Sequence, residues 1–221
     1  MRRVARGSKA NGDALDRWLH ERRFWESGLR LVAGVDEVGR GPLAGPVIAV
    51  AVILSERFND PGVHDSKTLT QAERLTLFPS IAAQALTWGV GLVAPAEIDR
   101  INILNATFLA MRRAIEQLAM PPEAVLVDGK ALIPDLACPQ RAIVRGDSAS
   151  ITIGAASILA KEIRDRMMEE YDQTYPGYGF AHHKGYATPE HQEALERLGP
   201  SPIHRRSFAP VREWRQNSLE L

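Results

Sequence analysis

The stretch Leu31–Pro46, LVAGVDEVGRGPLAGP, running on into VIAVAVIL, constrains this chain more than any other. An apolar run ends in two adjacent carboxylates, Asp36 and Glu37. A short turn rich in Gly and Pro surrounds one arginine, Arg40, and a second apolar run rich in Val and Ile follows. A strand that is apolar on both faces belongs to a sheet covered on both sides. The short connection makes the two strands antiparallel neighbours. Packing alone does not ask for two acids beside bare glycine backbone. Adjacent residues on a flat strand point to opposite faces, so Asp36 and Glu37 can share a site only if the strand twists or ends between them.

The rest of the chain alternates strands and helices. A helical stripe from Asp13 to about Gly28, carrying Trp18, Leu19 and Trp25, reads as a helix on the rim of the domain. Thr70 and Glu73 form a capping-box pair that opens a helix, which Pro79 is expected to kink or restart. Thr87–Val93 reads as a strand weakened by its glycines. Ile101, Leu104, Phe108, Met111, Ile115 and Leu118 recur at helical spacing after Pro95. Ala124–Val127 is a short strand running into Asp128-Gly129, and Arg141–Val144 is another running into Arg145-Gly146-Asp147. A helix from about Ser150 to Tyr171 begins with Gly154, Ala155 and Ala156, small enough for close approach to a sheet. Thr188 caps a last helix with Pro189 in its first turn and Gly199 past its end. This order predicts an α/β fold on a mixed sheet, with a flexible basic tail over 1–12, one domain over 13–215 and a short tail over 216–221.

Composition removes several classes. Twenty-seven basic residues balance 27 acidic ones, which argues against a general nucleic-acid coat protein but leaves room for a local basic groove. The single cysteine, Cys138, rules out an internal disulfide and points to a reducing compartment, the cytoplasm. No run is long enough to span a bilayer, and the basic start lacks the apolar core of a secretion signal. Balanced charge and the lack of a heptad make a monomer the default expectation.

Asp36, Asp128 and Asp147 each fall at or near the end of an apolar strand, where ligand sites collect in α/β sheets. One such aspartate would read as a turn or cap residue. Three of them beside Glu37 read as a cluster. Converging carboxylates repel by about 4 kcal/mol per pair at an effective dielectric near 20, so such a cluster takes up protons or a cation. All-oxygen ligands favour Mg²⁺ or Mn²⁺ and suit phosphate chemistry. A dinucleotide-binding reading of the glycines fails on context: the third glycine is one place late, and a strand follows where a helix is required. His182, His183, His191 and His204 match no common zinc spacing and read as solvated or capping residues. Lys67, Lys184, Arg205 and Arg206 lie in polar loops as candidate phosphate contacts, and Tyr186 sits in a basic loop as a packing residue or a ring that stacks on a sugar or base.

GVDEVGRGPLAGP (34–46), DSK (65–67), VDG (127–129), GDS (146–148), SILAKEIRDR (157–166), HKGYAT (183–188) and HRRSF (204–208) resemble, in order, the motifs of the ribonuclease HII family. The resemblance implies a ribonuclease H-like fold with a C-terminal helical extension. It implies an endonuclease that cuts the RNA strand of RNA–DNA hybrids, single ribonucleotides in duplex DNA included, in DNA replication and repair. Two Mg²⁺ or Mn²⁺ ions would act during catalysis and leave 3′-hydroxyl and 5′-phosphate ends. Asp36, Glu37, Asp128 and Asp147 match its four metal-binding acids. Gly39, Arg40 and Gly41 match the loop that senses the ribose 2′-hydroxyl, and Tyr186 matches the tyrosine that stacks on the sugar beside the cut. Lys67, Lys184 and Arg205 would hold phosphates. The short N-terminal arm disfavours the sister ribonuclease HIII family, a non-catalytic nucleic-acid-binding module is the rival from another class, and contact with a replication clamp is left open.

Overall fold

The computed structural model describes residues 16–60, 62–63 and 68–219, the last five of these as backbone only. The expected basic tail over 1–12, the start of the rim helix, and Lys67 with the rest of the DSK motif lie outside the described residues.

Among the described residues, five strands form one mixed sheet in the order β3-β2-β1-β4-β5. β1 (Val32–Val38) and β2 (Val47–Ile53) are antiparallel, joined by the Gly/Pro turn, and β3 (Thr87–Val93) continues antiparallel beyond β2. β4 (Ala124–Asp128) and β5 (Gln140–Ile143) add on the other side of β1, both parallel. The central strand is therefore the one that carries the two acids.

Alternation along β1 and β2 feeds two cores. Ala33, Val35, Ala49 and Ala51 pack under α3 (Pro95–Glu116), while Val50 and Val52 pack under α5 (Ile151–Thr174) and α2 (Gln71–Gln84). The helices lie unusually close to the sheet, and three glycines allow it. A Cβ at Gly91 would collide with the carbonyl oxygen of Ala110, and one at Gly89 with that of Ala114, both on α3. One at Gly34 would collide with the backbone of Thr152 and Ile153 in α5. The glycines of β3, read from sequence as weakening that strand, are instead the seat of α3.

The Thr70–Glu73 capping box is present, with both reciprocal bonds made. Pro79 neither ends nor restarts α2, which is continuous from Gln71 to Gln84. The break falls in α3, where Asn102 takes φ 65°. β5 lies one residue earlier than expected.

α1 (Leu19–Glu26) is more than a rim helix. Glu21 is fully buried and accepts hydrogen bonds from the Ser150 hydroxyl (2.5 Å) and the Thr152 N–H (3.2 Å) at the start of α5. Just before α1, the Arg17 guanidinium donates to the carbonyls of Asp147 (2.8 Å), Ser148 (3.1 Å) and Ser150 (3.3 Å). The N-terminal helix thus fastens α4 (Gly146–Ala149) to the rest of the fold.

Past α5 the chain turns back through α6 (Phe180–His183) and α7 (Pro189–Leu198) to α8 (Ala209–Leu219). This helical extension buries Phe180, Tyr178, Ala194 and Ile203 against Ala44 of the Gly/Pro turn. Leu43 N–H donates to Gly185 (2.8 Å), Gly45 N–H to Ile203 (2.9 Å) and Arg205 N–H to Leu43 (2.8 Å). The turn between β1 and β2 is thereby held on both sides by C-terminal segments.

Candidate active site

The acids meet where β4 ends. Pairing between β1 and β4 stops at Val35 opposite Val127, and β1 continues through Asp36, Glu37 and Val38. β4 finishes one residue later, at Asp128. Asp36 lies on the α5 side, as Gly34 does, and accepts a hydrogen bond from Ser157 of α5. Its Oδ1 also accepts the N–H of Glu37 (2.7 Å), an N–H that points into the lane β4 has vacated. Glu37 starts from the opposite face and reaches round the same open edge. Oxygens of Asp36, Glu37 and Asp128 consequently all lie within 4.8 Å of one another. The difficulty posed by two adjacent acids is solved by ending the neighbouring strand.

Asp147 is close in the chain path but outside that group of three. It stands in the first turn of α4, and its Oδ1 accepts the N–H of Ser148 (2.9 Å). The preceding residue, Gly146, donates its N–H to Asp128 Oδ1 (2.7 Å), which ties this turn to the cluster.

The cluster is short of positive charge. Burial raises the carboxyl of Asp36 well above its ordinary range, and the charges of Glu37 and Asp128 push it further; the Ser157 and Glu37 bonds oppose this. Burial also raises Glu37, against the pull of Arg40, whose Nη1 lies 3.2 Å from Glu37 Oε1. Glu37 Oε2 is buried and has no hydrogen-bond partner. A buried carboxylate oxygen without a partner, on a residue grouped with two further carboxylates, is costly unless a cation completes it. The all-oxygen donor set fits a hard divalent ion, and Asp36, Glu37 and Asp128 are the residues that would hold it.

The Gly39-Arg40-Gly41 loop beside the acids has the opposite character. Gly39 takes φ +89° and Gly45 φ +84°, conformations that side chains rarely adopt. Arg205 is fully buried beneath it and donates to the carbonyls of Gly39 (2.5 Å), Arg40 (2.9 Å) and Gly45 (Nε 3.0 Å, Nη2 2.9 Å). Arg164 of α5, equally buried, donates to Pro46 (3.2 Å), Ala44 (3.1 Å) and Lys184 (3.0 Å). Arg205 was expected as a phosphate contact, and its burial corrects that: the guanidinium is consumed by the loop's own carbonyls. Burial and the nearby Arg164 push it down, to about 9, which leaves it charged at neutral pH. Sequence reasoning missed Arg164 as a support of the loop, because it stands in the charged run Lys161-Glu162-Ile163-Arg164-Asp165-Arg166, where no local pattern singles it out.

Tyr186 is 46% exposed and stands over the loop, where a Cβ at Gly41 would lie 3.5 Å from its ring. Lys184 is drawn inward: its Nζ pairs with Glu169 (2.7 Å) and its carbonyl serves Arg164. His191 and His204 are not solvated, as the sequence suggested, but buried with their Nε2 atoms 3.0 Å apart.

Comparison with known proteins shows the family of the chain. The mixed sheet flanked by helices, with its helical C-terminal part, is ribonuclease H-like. The family model described as ribonuclease HII matches residues 33–211, and the chain belongs to that family of endoribonucleases. A ribonuclease HII of Geobacter sulfurreducens is 57% identical over 89% of this chain and 90% of its own. The crystal structure of the ribonuclease H2 from Pyrococcus horikoshii is 30% identical with a TM-score of 0.74, over 86% of this chain and 99% of that one. The ribonuclease HII of Archaeoglobus fulgidus, solved in a complex with PCNA, is 26% identical with a TM-score of 0.66, over 81% of this chain and 95% of that one. Among the described residues, no helix is long and apolar enough to cross a membrane.

Proposed function

We propose that this ribonuclease H hydrolyses the RNA strand of RNA–DNA hybrids, including single ribonucleotides embedded in duplex DNA. It uses two divalent cations, Mg²⁺ or Mn²⁺, and leaves 3′-hydroxyl and 5′-phosphate ends. The observation that carries the proposal is the unpartnered, buried Glu37 Oε2 within a group of three carboxylates. When bound, such cations supply an activated water and stabilise the leaving oxygen. Asp36, Glu37 and Asp128 hold them, and Asp147, one residue from the N–H that anchors Asp128, completes the site.

The remaining residues bind and select. Only the 2′-hydroxyl separates a ribonucleotide from a deoxyribonucleotide at a single position. Gly39 and Gly41 present bare backbone to that hydroxyl, because a side chain there would block the approach. Arg205 and Arg164 fix the loop from beneath, so its amides and carbonyls are preorganised. The Tyr186 ring stacks on the neighbouring sugar.

An end-labelled DNA duplex with one ribonucleotide, incubated with Mg²⁺, Mn²⁺ or EDTA, tests the proposal. Cutting at the ribonucleotide is expected with either metal and is expected to vanish with EDTA and in Asp128→Asn. Hybrid binding without any cutting would favour a non-catalytic module and overturn it.

A further inference from the structure

Beneath Tyr186 lies a chain of buried histidines that the catalytic chemistry does not use. His204 Nδ1 accepts the Ser201 N–H (2.9 Å) and lies 2.8 Å from the Ser201 hydroxyl. A nitrogen that accepts an N–H carries no proton, so the His204 proton is on Nε2. That Nε2–H points at His191 Nε2, 3.0 Å away, which must then accept. The His191 proton is therefore on Nδ1, where it donates to the backbone carbonyl of Tyr186 (2.8 Å). Every bond in the series Ser201, His204, His191, Tyr186 has one allowed direction, and it requires both rings to be neutral.

The surroundings enforce this. His183 stacks on His191 with ring centroids 4.4 Å apart, and it is itself fixed, accepting the Gly185 N–H on Nδ1 (3.1 Å) and meeting the Tyr178 carbonyl through Nε2 (2.7 Å). Phe180 lies edge-on to His191 (5.5 Å), and Tyr178 lies against His204 (5.2 Å). Burial lowers both His191 and His204 to about 4. A second proton between the two Nε2 atoms would set donor against donor.

We propose that His204 and His191 are positioning residues that set the height of the Tyr186 ring over Gly41, and through it the selection of a ribonucleotide. The proposal rests on the reading of Tyr186 as the sugar-stacking residue. The series connects the two segments that grip the Gly39–Gly41 loop: His204 precedes Arg205, and Tyr186 follows the Gly185 carbonyl that receives Leu43 N–H. It adds a second, side-chain donor to a backbone carbonyl that also accepts the Thr188 N–H (2.8 Å) and leaves the ring half-exposed. A half-exposed aromatic over Gly41 can then keep one height.

The test is a double-mutant cycle, read as cleavage of a duplex containing one ribonucleotide. Tyr186→Ala removes the ring but keeps the carbonyl, and is expected to slow cleavage at least about tenfold, the scale of a lost positioning contact. His191→Leu is expected to slow it by a similar factor, with kcat falling more than KM rises. The double variant should be no slower than Tyr186→Ala alone, because the histidine acts only through the ring. His191→Asn, whose amide can still donate to the Tyr186 carbonyl, should recover most of the rate. Losses that multiply in the double variant, or a wild-type rate in His191→Leu beside a slow Tyr186→Ala, overturn the relay. A wild-type rate in Tyr186→Ala overturns the underlying reading of that residue. Should His191→Leu fail to fold, long-range nitrogen–proton spectra of the wild-type protein decide. Protons on His191 Nδ1 and His204 Nε2 at pH 7 support the relay, and the reverse tautomers or an imidazolium overturn it.

Discussion

The two halves of the site treat polar groups in opposite ways. At the end of β1 and β4, three carboxylates crowd together with one guanidinium at their edge and one buried oxygen left without a partner. A few residues on, the loop from Gly39 to Pro46 has carbonyls at Gly39, Arg40, Ala44, Gly45 and Pro46 that all receive a buried arginine donor. The difference teaches which half expects a visitor. Among the acids, Glu37 Oε2 is left unsatisfied by the fold, and on the proposed reading a cation would complete the group. The loop is satisfied from beneath, so on the proposed reading it would meet substrate as a rigid surface.

If that contrast is right, neutralising an acid should cost activity and spare the fold, whereas removing a loop arginine should cost the fold. The largest expected effect is on turnover: Asp36→Asn or Asp128→Asn should lower cleavage by about a thousandfold or more, in line with the several kcal/mol that bound metal supplies to phosphoryl chemistry. Next is Arg205→Met, which strands the carbonyls of Gly39, Arg40 and Gly45. At roughly 1–3 kcal/mol for each buried group left unpaired, the urea midpoint should drop clearly. Arg205→Lys should not restore it, because one ammonium cannot span three carbonyls.

Acid should weaken the fold through the buried histidines. His191 and His204 have folded values near 4, below the ordinary 6.5 of the unfolded chain. The unfolded state therefore binds more protons between those values, so stability is full above about pH 6.5 and declines as pH falls towards 4. Urea midpoints at pH 7 and pH 5 check this, and equal midpoints would contradict it.

Asp36 and Glu37 behave in the reverse sense. Their folded values are raised, so the native state holds more protons. In metal-free protein they subtract stability as pH rises through those raised values. Metal-free Asp36→Asn should accordingly melt a few degrees above wild type at pH 8, the smallest of these effects. A lower melting point would mean that the carboxylate is already satisfied within the fold.

Much of the cluster was readable because acids at strand ends leave a local mark: an apolar run, an acid, a glycine. Asp128 and the pair Asp36-Glu37 were recognisable for that reason, as were the two strands that flank the loop. How two adjacent acids share one site was not readable, because the answer lies in where β4 stops, a fact about another strand. Gly89 and Gly91 were misjudged for a related reason: a glycine in a strand looks like weakness until the helix that needs the space is known. His191, His204 and Arg205 looked like surface residues because polar side chains usually are. Their burial depends on how α6 and α7 fold back over the turn after β1, and no local pattern records that.

The most direct test is a melting experiment with Mn²⁺ at pH 7.5 on wild type and Asp128→Asn. A cation that binds the folded state alone stabilises it by about 2.7 kcal/mol at a hundred times its dissociation constant. Wild type should show a clear rise in melting temperature, and Asp128→Asn little or none. An equal rise in both proteins would mean that the ion binds elsewhere, and that the carboxylates at the end of β1 and β4 are not the metal site.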